Sequence, residues 1–169
     1  MSEANELRCG SLQEHVAAQR TVVEYRVGGG VILAGQPQPE DLPQLARQGI
    51  RSVINLRRDG ERSEREARNA AAAGLDYLHL PLPAYELEPQ HLVEFQEAIA
   101  GKEGLYIHCR SGSRVALLWM LHRMINQGWR RDAAEAELRS AGYNEESMEV
   151  FTFCADDYFE RTEEAVAVA

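Results

Sequence analysis

Cysteine is scarce in this sequence and widely scattered. The three cysteines in 169 residues, Cys9, Cys109 and Cys154, include no Cys-x-x-Cys pair. That excludes a disulfide scaffold and offers no zinc-like ligand spacing. Long apolar runs are missing too: no stretch approaches the roughly 18 residues of a membrane span. The N-terminal "MSEANELRCGSLQEH" lacks the basic start and apolar core of a signal peptide. The cytoplasm is therefore the expected compartment. Positive charge is in deficit, with 18 Lys and Arg against 27 Asp and Glu and a formal net charge of −9. Nucleic acid and anionic membranes both call for a basic face, so neither is expected as a partner. Repeats and low-complexity tracts are absent. What is present, 44% hydrophobic and 27% charged residues, is ordinary for a soluble globular chain.

Residues 1–20 read as a peripheral N-terminal segment with a short helix over "SLQEHVAAQ", and 21–165 as a single domain. "TVVEYRV" and "GVILAG" read as strands joined by a glycine turn. A helix over "QPQPEDLPQLARQG" starts with prolines and acids and stops at Gly49. "IRSVINL" is a buried strand, "ERSEREARNAAAAG" a helix, "LDYLHLPL" a strand and "EPQHLVEFQEAIAG" a helix. "LYIH" is the next strand, and "SRVALLWMLHRMINQG" is a helix apolar nearly all round, as at the centre of a core. Helices at about 131–141 and 145–164 close the chain. The second carries eight acidic residues against Arg161 alone and reads as a solvated face. Alternating strands and helices predict an α/β fold, with a mostly parallel central sheet flanked by helices. Ligands in such sheets bind outside the carboxyl ends of the strands.

Cys109 stands at one of those ends. The loop from Cys109 to Arg114, "CRSGSR", joins the "LYIH" strand to the apolar helix. The amides of Arg110, Ser111, Gly112 and Ser113 can turn inward as an anion nest, with Gly112 free to take an unusual backbone angle. The helix starting near Ser113 points its positive end at the same space, and Arg114 adds a forked permanent charge. All three favour a thiolate beside a bound anion. His108 is expected to point away from the ligand and steady the loop. Cys9 lies in a polar segment, and Cys154 reads as a small buried hydrophobe.

"IHCRSGSR" resembles the active loop of the cysteine-dependent phosphatases. "LAGQPQPEDLPQLARQGIRSVINLR" with "LDYLHLPLP" resembles the bacterial beta-lactamase-hydrolase-like phosphatase domain family, a likeness covering about residues 22–128. The resemblance implies a dual-specificity-phosphatase-like fold. It makes Cys109 the nucleophile, Arg114 the oxyanion binder and the amides of 110–114 the anion cradle, with no metal or cofactor needed. Two departures matter. The phosphatase signature carries one residue more between Cys and Arg than the four here, and Val115 stands where that signature has Ser or Thr. The shorter loop resembles that of rhodanese-type sulfurtransferases.

The phosphatase pattern also puts an aspartate in the loop after the "YLHLPL" strand. Here "PAYELEPQ" has none, so Glu86 is the nearest candidate general acid, Glu88 the next and Asp59 an outside one. Arg57, ending the "IRSVINL" strand, is a candidate for supporting an anionic substrate. His79 and His122 are expected to pack in or beside the core, as are Trp119, Met120 and Met124. Three functions stay open: a phosphatase working through a phosphocysteine, a sulfurtransferase carrying a Cys109 persulfide, and an oxyanion-binding module with little turnover. The expected partner is a phosphorylated protein or small phosphoester, or a sulfane-sulfur donor for the second.

Overall fold

The computed structural model describes residues 22–168. The segment 1–20 and its expected helix lie outside the described residues. Five strands form one sheet in the order β1-β2-β5-β3-β4. The strands are β1 (Glu24–Val27), β2 (Val31–Ala34), β3 (Ser52–Asn55), β4 (Asp76–His79) and β5 (Leu105–His108). Only the β1–β2 hairpin is antiparallel; the other three pairings are parallel. The helices are α1 (Asp41–Arg47), α2 (Gly60–Ala72), α3 (Pro89–Ile99), α4 (Ser113–Leu121), α5 (Arg131–Ala141) and α6 (Glu145–Val168). Past Leu121, α4 runs on as a π-helical turn over His122–Asn126.

Strand alternation divides the core. Val31, Leu33, Ile54, Leu56, Leu105 and Ile107 pack with α3, α4, α5 and α6 on one face. Their neighbours Ile32, Ala34, Val53 and Tyr106 pack with α1 and the end of α2 on the other. That is the period of two expected of strands buried on both sides. Every residue of α4 from Val115 to Leu121 is buried, in keeping with its all-round apolar sequence. No helix among the described residues is long and apolar enough to cross a membrane.

Register fixes where the site forms. Ala34 pairs with His108, His108 with Asn55, and Asn55 with His79, so four parallel strands end on one line. Cys109 is the next residue after that line. Its side chain falls on the α4 face, whereas His108 points to the opposite one.

Candidate active site

Cys109 is 2% exposed and lies at a cavity of about 330 Å³. The loop behind it is pinned by backbone: Cys109 N–H donates to Ala34 O at 3.2 Å, and Gln36 N–H to Arg110 O at 3.1 Å. Gly112 takes a φ of 90°. This turns its N–H onto the thiol, 3.2 Å from Cys109 Sγ. Its carbonyl, turned the other way, accepts the Tyr143 hydroxyl at 2.8 Å. Tyr143 is stacked on Tyr25 with ring centroids 3.7 Å apart. Burial first, then the neighbouring Tyr25 and Cys109, raises the Tyr143 pKa well above its ordinary value and keeps the phenol a donor.

Arg114 Nη1 donates to Leu56 O at 2.9 Å, which fixes the guanidinium at the carboxyl end of β3. Its Nε is buried and has no partner among the described residues. Arg114 lines the cavity with Cys109, and a buried N–H left unpaired is costly unless something accepts from it. Arg110, Ser111 and Ser113 are exposed at the mouth, where Ser111 Oγ donates to Ser113 Oγ at 3.3 Å. The loop thus sets a thiol, held by an inward amide, beside a guanidinium group at one cavity, an arrangement able to hold a small oxyanion against sulfur.

His108 steadies this loop from behind. Its Nε2 is 2.7 Å from Glu66 Oε2 and its Nδ1 3.2 Å from Cys109 O. Burial opposes the Glu66 charge, but the hydrogen bond and charge of His108, with help from Tyr77 and Gln36, outweigh it and hold the carboxyl below its usual range. Both imidazole nitrogens therefore face acceptors. Glu66 comes from α2, whose charged sequence carries no mark that singles it out.

The remaining candidates lie apart from the cavity. Arg57 does not line it: the side chain donates to Gln36 Oε1 at 2.9 Å and to Asp59 Oδ2 at 3.0 Å. The cause is alternation, since Leu56 takes the α4 side and its neighbour is left facing away. Asp59 is held by Arg57 and, at 3.6 Å, by Arg62. Glu88 closes a capping box with His91 at the start of α3. Glu86 is exposed and outside the cavity wall, although its neighbours Ala84 and Tyr85 line it. His79 Nε2 bonds the Arg57 carbonyl, and His122 is buried at 2% exposure. Trp119 and Met120 are core, with Met124 packed at its edge.

The opposite wall was not foreseen. Asn144, Glu146, Ser147, Val150, Phe151 and Cys154 of the α5–α6 junction and α6 complete the cavity. Cys154 is buried as expected, yet it belongs to this wall, and the acidic face of α6 is not all solvent. One local signal was available: Asn144 stands three residues before Ser147 and caps α6 by accepting its N–H at 2.9 Å.

A family model for the phosphatase-like domain of beta-lactamase hydrolase-like protein matches residues 25–126. A beta-lactamase hydrolase-like protein of Xylella fastidiosa is 37% identical over 118 residues, which is 66% of this chain and 27% of that protein. The dual specificity protein phosphatase TpbA of Pseudomonas aeruginosa is 25% identical over 126 residues, 72% of this chain and 56% of that protein. The chain thus spans between a quarter and three fifths of these relatives. A crystal structure of TpbA superposes with a TM-score of 0.64 at 19% identity, over 79% of this chain and 83% of that one. TpbA is also known as a Cys-to-Ser variant in complex with phosphotyrosine. These structural likenesses establish the dual-specificity-phosphatase-like fold.

Proposed function

The chain belongs to the beta-lactamase hydrolase-like phosphatase domain family, and from that premise we propose that it is a cysteine-dependent phosphomonoester hydrolase. One observation carries the reading: Cys109, with the Gly112 N–H on its sulfur, lines one cavity together with Arg114 and the loop residues Arg110, Ser111 and Ser113. In the proposed reaction the Cys109 thiolate attacks phosphorus in line and the ester P–O bond breaks. Arg114 and the loop amides hold the equatorial oxygens as charge develops. Water then attacks the phosphocysteine, the P–S bond breaks and the thiolate returns. The complex of TpbA with phosphotyrosine supports a phosphoester as the substrate class.

A sulfurtransferase is the second reading, favoured by the four-residue spacing of Cys109 and Arg114. There the thiolate would take a sulfane sulfur and pass it on from a persulfide. The test runs the purified protein and Cys109→Ser against an aryl phosphate, and against thiosulfate with cyanide. Phosphate release lost in the variant is the expected result. Thiocyanate formation without phosphate release would replace the first reading by the second. Inactivity on both, with oxyanion binding retained, would leave a binding module.

A further inference from the structure

The phosphatase reading leaves the departing alcohol without a proton donor, and the structure assigns that role to Glu146. This rests on the reading just given. Among the described residues lining the cavity with Cys109, Glu146 is the one carboxylate. The carboxylates nearer in sequence to the expected loop are otherwise placed: Glu86 is off the wall, Glu88 caps α3 and Asp59 is bound to two arginines.

The first turn of α6 explains how Glu146 reaches the site. Asn144 caps the helix through the Ser147 N–H, and Asn144 and Ser147 line the cavity with Glu146. Glu145, one residue earlier, is turned away and bound to Arg139 at 2.8 Å. Glu146 has no ion-pair partner among the described residues. The residue also lies beyond the family-matched region 25–126, so this donor comes from the chain's own C-terminal part.

The step balances. As Cys109 sulfur bonds to phosphorus and the ester P–O bond breaks, the Glu146 carboxyl gives its proton to the leaving oxygen. In the second step the carboxylate takes a proton from the attacking water as the P–S bond breaks, which restores both groups.

The experiment compares kcat/KM, which reads the steps up to phosphocysteine formation, for wild type, Glu146→Gln, Glu146→Asp and Glu86→Gln on 2,4-dinitrophenyl phosphate and on phenyl phosphate. The first leaving group departs without a proton; the second needs one. Glu146→Gln should lose about 100-fold on phenyl phosphate, within the usual range for a general acid, and much less on the dinitrophenyl ester. Glu146→Asp, which keeps the proton on a shorter arm, should fall between. Equal losses on both esters, no loss, or the selective loss appearing in Glu86→Gln instead would overturn the assignment while leaving the phosphatase intact. A wild type inert on both esters would take down the underlying reading, and the assignment with it. Tungstate binding by each variant reports that the anion loop has folded.

Discussion

At Gly112 the backbone sits at a φ of 90°, and a Cβ placed there would meet Cε2 of Tyr25 at 3.1 Å. Two penalties coincide: a left-handed conformation for an L-residue and a collision with a ring that is itself stacked on Tyr143. Gly112→Ala should therefore lose about 1–2 kcal/mol of stability in urea unfolding and weaken tungstate binding together. An unchanged affinity would mean that the Gly112 N–H does not shape the anion site. The need for glycine was legible in "CRSGSR", because the loop is local. The agents that enforce it were not. Tyr25 stands 87 positions upstream of Gly112 and Tyr143 31 downstream, and only the packed chain brings them to it.

Among the elements, α4 was read most directly, since an all-apolar helix has one place to go. Its departure into a π-helical turn was hidden, because "WMLHRMI" contains no Gly or Pro to mark a break in the helix. Within that turn His122 packs edge-on against Phe95, with centroids 5.2 Å apart, and Nδ1 accepts from the Asn126 amide at 2.8 Å. Its Nε2 has no partner among the described residues. Burial, and secondarily the charge of Arg123, push its pKa down to about 4. An unfolded histidine titrates near 6.5, so between roughly pH 6.5 and 4 the unfolded chain binds a proton that the folded one refuses. Stability present above that window is lost as pH falls through it, with a limiting slope of about 1.4 kcal/mol per pH unit. Urea midpoints across this range should show the decline in wild type and a flatter curve in His122→Leu. Parallel curves would show that His122 does not carry it. Arg57 makes the complementary point at the end of β3: its residue type suggested the anion site, and strand alternation sent it to Gln36 and Asp59.

On the scale of the molecule, the family match stops at residue 126 but the core does not. Ala134, Leu138, Tyr143, Met148, Phe151, Ala155 and Tyr158 are buried in the same cluster as α4. Removing them would expose α4 along its length. At about 1.5–3 kcal/mol per large apolar side chain, the loss rivals the 5–15 kcal/mol that usually holds a domain together. We therefore propose that the described residues unfold as one unit, consistent with a single domain over 21–165. A chain cut after Asn126 should be insoluble or lack a cooperative melt by circular dichroism; a folded, active fragment would defeat this. Arg123 marks the same junction. It lies 4.6 Å from the Trp119 ring centroid and 4.1 Å from that of Trp129, and bonds Glu137 of α5 at 2.8 Å. These are the protein's two tryptophans. Its whole indole emission therefore comes from two rings beside one guanidinium, among α4, α5 and the turn between them. Fluorescence will follow the parting of those helices sensitively, while anion capture at Cys109 will need a probe of its own.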